Sequence, residues 1–360
     1  MKNILICPLN WGMGHATRVK QIAAHLMAKG HNVSIAAPDN LLELFDDSLC
    51  NNKIRVQSPV IRYSAKLPQY LFVALQSPVL ILNYFSDLYK FGRLVKKYNI
   101  DILISDNRFG ARSKLAWSVY ITHQLTIMLP SPFRQAGKIS SLIHRKIASS
   151  FNECWIPDSD NYLSGKLSLH NNTLTNVKDI GLLSMLGLAE SRKPVSLPSG
   201  KFYTVILSGP EPQRSILREL LYSSLSQKKE QYVFACGDHD TKKLQKNKNI
   251  TLYSYLDAGE LRYVIENCEG LICRAGYSTI MDLVYMGKSA LLIPTPGQTE
   301  QEYLASHLSS KGMFNYILQS DIQKAETLNI PQNTDFKEFN LKSSYIFKEV
   351  IDGLVKRSSS

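Results

Sequence analysis

The amino-acid sequence predicts an α/β protein made of two doubly wound, Rossmann-like domains. The chain has 360 residues, which is more than one hydrophobic core usually serves. Short apolar runs alternate along it with longer segments of helical period, the pattern of parallel sheets that carry helices on both faces. The alternation stops once, over residues 157–200, where proline, glycine, aspartate and asparagine accumulate as they do in linkers.

In the first half, apolar runs predict strands near residues 3–8, 32–37, 101–105 and 119–123. Apolar residues that recur every three to four positions predict helices at 16–29, within 68–98, at 110–117 and at 138–150. The polar segment that follows places the domain boundary near residue 190. Residues 1–190 are therefore predicted to form the N-terminal domain.

The second half repeats the alternation and predicts a second domain over residues 191–340. Its strands are predicted at 203–208, 231–236, 250–253, 269–273 and 289–293, and its helices at 213–224, 258–267, 278–286 and 300–310. Residues 341–360 are predicted as a helix and tail, because their apolar side chains share one helical face. Open α/β sheets bind ligands at the carboxyl ends of their strands, so we expect a site in a cleft between two facing domains.

The composition excludes several classes of protein. The chain is 44% hydrophobic and 20% charged, which is typical of a globular chain and excludes disordered, collagen-like and coiled-coil sequences. Its six scattered cysteines predict no disulfide framework and no metal cluster. The first apolar run is too short for a signal peptide, so a cytoplasmic location is predicted. Prolines and amide side chains interrupt the apolar stretch 67–85, so no transmembrane segment is predicted.

The positive charge is concentrated in one third of the chain. The formal net charge is +12, and residues 53–146 hold 15 basic and three acidic side chains. Apolar surface beside basic clusters suits the inner face of an anionic membrane, whereas a core helix with a solvated charged face is the open alternative. A basic nucleic-acid-binding protein is the weaker alternative, and no nucleic-acid partner is expected because no such module is visible. The clusters are Lys90, Arg93, Lys96 and Lys97, and then Arg134, Lys138, His144, Arg145 and Lys146.

A glycine-rich turn follows the first predicted strand and leads into an apolar helix. Gly12 and Gly14 permit close approach of the backbone to a ligand, and the amides at the helix start favour an anion. Thr17 occupies the third glycine position of the dinucleotide fingerprint, so a nicotinamide cofactor is not predicted. His15 stands at the helix start, where an imidazole can act as a general base near neutral pH. A histidine that only packs or caps the loop is the open alternative.

Asp106 follows another apolar run of the first half, in a polar turn. Its carboxylate is predicted to reach the cleft edge and to orient His15 or bind an acceptor, as carboxylates do beside catalytic imidazoles. An aspartate that only caps the following helix fits the same position.

A second motif follows the predicted strand 269–273. Gly276 permits a tight turn, and the hydroxyls of Ser278 and Thr279, with the helix-start amides, can hold a diphosphate. Asp282 lies one turn further, where its carboxylate can accept hydrogen bonds from ribose hydroxyls. The competing interpretation is a Ser/Thr cap with a first-turn acid, which stabilises helices in general. Arg274 ends the strand and is predicted to stabilise charge on a leaving diphosphate.

A third motif opens the helix predicted at 300–310. Gln301 and Glu302 stand in its first turn, where amide and carboxylate groups suit the hydroxyls of a sugar. An acidic first turn favoured by the helix dipole is the alternative.

The order of the three motifs resembles that of GT-B glycosyltransferases, in particular the transferases that add N-acetylglucosamine to the lipid-linked peptidoglycan precursor. The resemblance is clear over residues 1–35 and 257–310. It implies that Thr279 and the amides after Gly276 bind the diphosphate of a nucleotide-sugar donor, and that Asp282 binds its ribose. It further implies donor contacts for Ser208, Gly209, Arg214, Tyr255, Leu256, Gln301 and Glu302, with His15 beside the reacting carbon.

Two positions and one loop depart from the family pattern. The loop 208–213 is stiffer than the glycine-rich loop expected opposite the donor phosphates, and Arg214 can compensate there. Thr299 stands where many relatives carry an aspartate, and Glu302 replaces a second glutamine, so the resemblance does not identify the donor sugar. The implied reaction is inverting, metal-independent and cofactor-free transfer from a nucleotide diphosphate, with UDP expected, to an acceptor hydroxyl that a lipid-linked molecule can supply. A nucleotide-sugar hydrolase of the same fold, in which His15 activates water, is the alternative.

Overall fold

The computed structural model describes residues 1–11, 13–58, 69–169, 174–238 and 243–358. Its contacts divide the chain into two compact units. Unit 1 comprises Met1–Ile61, Val73–Leu183 and Glu338–Ser360, and unit 2 comprises Ser184–Lys337 with the short segment Arg62–Phe72. The division falls a few residues before the boundary expected near 190, and the C-terminal helix groups with unit 1.

Unit 1 contains a seven-stranded parallel sheet. Its strands are β1 (Asn3–Pro8), β2 (Asn32–Ala37), β3 (Asn52–Arg55), β4 (Ile102–Asp106), β5 (Trp117–Ile121), β6 (Glu153–Ile156) and β7 (Val177–Asp179), in the spatial order β3-β2-β1-β4-β5-β6-β7. The register pairs Ile6 with Ile104 and Pro8 with Asp106. The strand order reverses between β1 and β4, which is the switch point where open α/β sheets bind ligands.

Unit 2 contains a second seven-stranded sheet. Its strands are β8 (Phe202–Ile206), β9 (Gln231–Ala235), β10 (Leu244–Asn247), β11 (Ile250–Tyr253), β12 (Gly270–Cys273), β13 (Leu291–Leu292) and β14 (Asn315–Tyr316). The order is β10-β11-β9-β8-β12-β13-β14, and all pairs are parallel except β10 with β11. This order reverses between β8 and β12. The prediction of two doubly wound α/β domains is therefore confirmed.

The α-helices cover these sheets because their apolar residues recur on one face. They are α1 (Met13–Ala28), α2 (Asp39–Leu42), α3 (Gln69–Lys97), α4 (Arg134–Ala148), α5 (Gln213–Leu225), α6 (Ala258–Asn267), α7 (Tyr277–Tyr285), α8 (Thr299–Ser310) and α9 (Lys337–Arg357). In α1, Val19, Ile22 and Leu26 lie in the core at the spacing of one helical face. Each unit has a core of its own, centred on its sheet.

The C-terminal helix α9 packs within unit 1. Phe347 and Ile351 are buried, and the ring of His25 on α1 meets that of Phe347 edge to face at 5.4 Å. The carboxylate of Asp352 accepts from His25 at 2.7 Å and from Lys29 at 3.0 Å. This helix is therefore part of unit 1, and it covers most of residues 341–360, which the sequence predicted as a helix and tail.

The helix predicted at 110–117 is wrong, because this segment is an irregular loop that enters β5 at Trp117. Asn107 adopts a left-handed φ of 56°, and Leu115, which the helical period would bury, is 60% exposed. A Cβ at Gly110 would lie 2.4 Å from the backbone oxygen of Tyr84 on α3, so the loop packs directly on that helix. The predicted linker 157–200 is also partly wrong, since it contains β7 and buried leucines.

The two halves of helix α3 differ in burial. Its second half packs into unit 1 through Phe91 and Val95, whereas its first half exposes Leu75 and Leu82. Among the helices that the structure describes, the stretch Tyr70–Lys97 alone is long and apolar enough to cross a membrane by length and composition, with a mean hydropathy of 1.3. Pro78 lies inside it.

Candidate functional site

His15 and Asp106 meet at the switch point of unit 1. His15 lies in the first turn of α1, directly after the loop that leaves β1, and Asp106 is the last residue of the neighbouring strand β4. The Nδ1 atom of His15 is 3.3 Å from Oδ2 of Asp106. The side chain of Asp106 is fully buried and that of His15 is 14% exposed. The sheet topology thus brings together the two residues to which the sequence gives acid–base roles.

Two further residues, which the sequence analysis missed, complete this cluster. Arg18, one turn along α1 from His15, donates from Nε to Oδ2 of Asp106 at 2.7 Å and from Nη2 to Oδ1. The same Nη2 is 3.1 Å from Nδ1 of His15, and Nη1 is 3.4 Å from Nδ1 of His123. Residues three apart share a helix face, so the spacing of His15 and Arg18 was the available signal.

The cluster shifts the ionisation of its members. Burial lowers the pKa of His15; Arg18 and His123 lower it further, whereas the Asp106 carboxylate raises it. For Asp106, burial alone would raise the pKa, but Arg18 and His15 outweigh this and hold it below its ordinary value. His15 is therefore neutral and Asp106 ionised near pH 7, the states that a base and its orienting carboxylate require.

The loop after Asp106 is held by two buried polar contacts. Arg108 donates from Nε to Asp87 on α3 at 2.6 Å, and both side chains are nearly fully buried. On the other side, the Tyr120 hydroxyl donates to Asn107 at 2.8 Å and lies 2.7 Å from Nε2 of His144 on α4. Helices α3 and α4 therefore both fix the backbone that follows Asp106.

In unit 2, α7 begins immediately after the switch-point strand β12. Gly276 is its N-cap residue, with extended backbone at φ −78°, and Tyr277 is buried beneath the first turn. Ser278 and Thr279 follow in that turn, at the positive end of the helix dipole. This is the arrangement that binds phosphate groups at helix N-termini.

Asp282 lies in the second turn of α7 and is engaged by the first residues of unit 2. Its carboxylate accepts from the Ser184 hydroxyl at 2.5 Å and from the amides of Met185 and Leu186. Burial raises its pKa to about 6, against the effect of these hydrogen bonds. Asp282 therefore anchors residues 184–186, a role that the sequence did not predict for it.

Arg274 lies inside unit 2 and is 1% exposed. Its guanidinium donates to the carbonyl oxygens of Ile293 and Pro294 at 3.3 Å and to that of Gln213 at 2.9 Å. Burial lowers its pKa to about 10, so it stays charged at neutral pH. These hydrogen bonds tie the loop after β13 to the start of α5. The contact of Arg274 with a leaving diphosphate stays a prediction.

The loop after β8 faces the same end of the sheet as Gly276, because β8 and β12 are neighbours in parallel. Ser208 and Gly209 lie in it, and Gly209 adopts a φ of +91°, which favours glycine. Arg214 donates to Glu211 at 2.9 Å and to the carbonyl of Gly237 at 2.5 Å. Arg214 thus stabilises this loop through its ion pair with Glu211 and its hydrogen bond to Gly237.

Tyr255 and Leu256 follow β11, two strands away from β8 in the sheet. Leu256 is buried and Tyr255 is half-buried, and burial raises the pKa of the Tyr255 hydroxyl. Asp257 then starts α6 with a capping box that includes Glu260. Parallel strands stand about 4.8 Å apart, so the ends of β11 and β12 are separated by about 14 Å across the sheet.

Gln301 and Glu302 fold the loop after β13 onto α8. Gln301 is 7% exposed; its carbonyl accepts from the Thr295 amide at 2.9 Å, and its amide group donates to Gln298 at 2.8 Å. Glu302 is exposed and accepts from the Gly297 amide at 2.8 Å. The hydrogen bonds of the buried Gln301 therefore hold this loop in place, whereas the side chain of Glu302 is exposed at the surface.

Two remaining expectations concern Gly12 and metal ions. Gly12 lies outside the described residues, while Gly14 is placed at the start of α1. Across the described parts of the chain, no group of three or more His, Cys, Asp and Glu side chains is arranged to hold a metal ion.

Comparison with known proteins finds similar glycosyltransferases. Residues 208–335 match the glycosyltransferase family 28 C-terminal domain. A UDP-N-acetylglucosamine–N-acetylmuramyl-(pentapeptide) pyrophosphoryl-undecaprenol N-acetylglucosamine transferase of Buchnera aphidicola is 22% identical over 319 residues, which cover 85% of this chain and 82% of that protein. The enzyme of the same name from Prochlorococcus marinus is 28% identical over 167 residues, and this match spans only 44% of either chain.

A solved structure of a kitacinnamycin glycotransferase superposes with a TM-score of 0.65 at 13% identity and covers 99% of this chain and 98% of that one. These findings and the two doubly wound units define the class: the chain is a glycosyltransferase of GT-B fold. Within that class it is similar to the pyrophosphoryl-undecaprenol N-acetylglucosamine transferases named above.

Proposed function

We propose that this glycosyltransferase moves a sugar from a UDP-sugar to a hydroxyl of a lipid-linked acceptor, with inversion and without a metal ion. The observation that carries the proposal is the pairing of His15 with Asp106 at the switch point of unit 1. A neutral imidazole steadied by a carboxylate can take a proton from a hydroxyl, which makes the oxygen nucleophilic at the anomeric carbon. Direct attack by that oxygen displaces the nucleotide diphosphate from the opposite side and inverts the configuration.

The donor is assigned to the carboxyl edge of the sheet in unit 2. The N-terminus of α7, with Ser278 and Thr279, receives the diphosphate, whose growing negative charge the helix dipole stabilises as the bond breaks. Tyr255 and Leu256 flank the base, about 14 Å away across the sheet, a span suited to an extended nucleoside diphosphate. The names of the similar enzymes, which specify UDP-N-acetylglucosamine, support UDP as the nucleotide.

Asp282 and Glu302 are the proposed contacts for the ribose and the sugar. Asp282 lies on α7 behind the diphosphate-binding turn, and its hydrogen bonds to Ser184 and the following amides compete with ribose hydroxyls. Glu302 is exposed at the surface of its loop, whereas the amide of Gln301 is already engaged. The departure from the family pattern at Glu302 makes this residue the one to vary when donor sugars are compared.

The acceptor proposal rests on an exposed apolar surface of unit 1, which we call the docking surface. On α3, Leu75, Val79, Leu82, Phe85 and Tyr89 follow one helical stripe and are 54% to 70% exposed. On α4, Ile139, Leu142 and Ile143 are 58% to 65% exposed. Monomeric proteins rarely expose apolar patches of this extent unless the patch binds something.

Basic side chains lie on the same two helices and favour an anionic lipid surface as the occupant. Arg93, Lys96 and Lys97 are exposed at the end of α3, and Lys138 and Lys146 are exposed on α4. Each such charge near an anionic membrane contributes about 1 kcal/mol. Asp87 pairs with Arg108 in the middle of α3, and this buried ion pair holds the helix on unit 1, which favours peripheral contact over membrane crossing. We therefore propose a cytoplasmic enzyme at the inner membrane face.

A hydrolase of the same fold is the second candidate, since His15 could equally activate water. The docking surface favours a transferase, because hydrolysis of a soluble nucleotide sugar needs no apolar acceptor surface. The purified protein should therefore be incubated with a panel of nucleotide sugars, with and without lipid extract, and both free nucleotide and glycosylated lipid should be measured. Transfer predicts nucleotide release that requires lipid and equals the glycolipid formed. Release that is the same without lipid would establish hydrolysis instead.

A further inference from the structure

Arg18 occupies a place in the acid–base cluster that its sequence position alone does not explain. It lies on α1 one turn after His15 and is 2% exposed. A buried arginine is costly unless its donors are engaged, and here its Nε and Nη2 grip both oxygens of Asp106. The carboxylate that faces His15 is thus already neutralised.

This pairing changes the charge balance of the reaction. A lone carboxylate–imidazole pair passes from a net charge of −1 to zero when the histidine takes a proton, and burial favours that change. With Arg18 included, the same step takes the cluster from zero to +1, which burial disfavours. The groups that face His15 are Arg18 on its own helix, Asp106 on β4 and His123 after β5. Asp106 provides their one negative charge.

We propose that Arg18 is a positioning residue for the base: it fixes the Asp106 carboxylate against His15 and keeps the imidazole unprotonated in the resting enzyme. The inference rests on the proposed role of His15 as the base. Its consequence is that the enzyme stays active below pH 6.5, where an ordinary histidine would be protonated. The direction of the pKa shift of His15 agrees with this role.

The experiment measures the pKa of His15 by NMR. The C2–H signal of His15, assigned by its loss in His15→Gln, is titrated by NMR in wild type, Arg18→Lys and Arg18→Gln. Removing a positive charge about 3 Å from the ring, with Asp106 left in place, should raise the pKa of His15 by about one unit or more. Arg18→Lys retains the charge and should shift it by less than half as much. An unchanged titration in Arg18→Gln would overturn the proposal.

A double variant guards against misfolding caused by an unpaired buried carboxylate. Arg18→Gln with Asp106→Asn removes both charges and keeps similar side-chain shapes, so the pKa of His15 should return to within about half a unit of wild type. A double variant that stays as far shifted as Arg18→Gln would also overturn the proposal, because the two charges would then not compensate each other.

Activity separates this inference from the proposed function. In Arg18→Gln, the acid limb of kcat/KM should move to higher pH together with the NMR titration. If His15→Gln retains full turnover while the NMR shift occurs, the base assignment fails and the electrostatic role of Arg18 stands. If His15→Gln is inactive but the acid limb does not move in Arg18→Gln, the inference about Arg18 fails alone.

Discussion

The docking surface makes a quantitative prediction about membrane binding. Leu75 and Leu82 on α3 are each 70% exposed, and full burial of a leucine side chain is worth about 1.5–3 kcal/mol. Inserting the exposed fraction therefore contributes about 1–2 kcal/mol for each residue. The double variant Leu75→Ser/Leu82→Ser should lose about 2–4 kcal/mol of binding energy, which lowers the partition coefficient about 30-fold or more.

The assay is sedimentation or flotation with vesicles that contain a fixed fraction of anionic lipid, at low and high salt. The matched control is Leu341→Ser/Tyr345→Ser on α9, where the side chains are 75% and 69% exposed but no membrane contact is proposed. Both variants should keep the wild-type melting temperature, since exposed side chains contribute little to folding. Binding of the α3 variant within twofold of wild type, or an equal loss in the control, would refute the docking surface.

Three further predictions concern single side chains. Asp282→Ala should weaken UDP binding about tenfold or more, as measured by calorimetry, whereas Ser184→Ala should leave UDP binding unchanged. Equal effects of the two variants would mean that Asp282 only holds residues 184–186 and does not contact the nucleotide. Burial lowers the pKa of His144 to about 4, so on acidification the unfolded chain takes up this proton before the folded chain does. The free energy of unfolding should therefore fall by up to about 3 kcal/mol between pH 6.5 and pH 4. In urea titrations at a series of pH values, His144→Gln should show a smaller fall. Asp87→Asn leaves the buried Arg108 without its carboxylate partner and should cost about 3–5 kcal/mol of stability; a melting temperature equal to wild type would contradict this.

The central strands of both sheets were predictable because each is marked by a continuous apolar run in the sequence. Strands such as β1 and β4 are continuous apolar runs, and parallel sheets buried on both faces require such runs. Two short edge strands, β10 and β14, were missed because they have no such apolar run. β10 is exposed along its whole length, and β14 has only two residues, so neither leaves an apolar pattern. The loop at 110–117 resembled a helix because its alanines and Leu115 have the right spacing, and only packing on α3 excludes it.

The candidate site was predictable one residue at a time, but its connections were not. His15 lies at the start of the helix after β1 and Asp106 ends β4, positions that the topology of a doubly wound sheet makes informative. The engagement of Asp106 by Arg18 depends on a contact between residues 88 apart, which spacing within one helix does not reveal. The same is true of Ser184 and Asp282, 98 residues apart. The sequence likewise did not show that Arg274 becomes buried and donates to backbone carbonyls.

The most direct test of the account compares turnover with donor binding in His15→Ala. With the nucleotide sugar that supports transfer, loss of a general base should lower kcat by about 10²–10⁴. The calorimetric affinity for UDP should stay within about twofold of wild type, because the proposed nucleotide site lies in unit 2 and His15 lies in unit 1. Asp106→Asn should lower kcat in the same direction. Turnover by His15→Ala above about one third of wild type would contradict the assignment of His15 as the base.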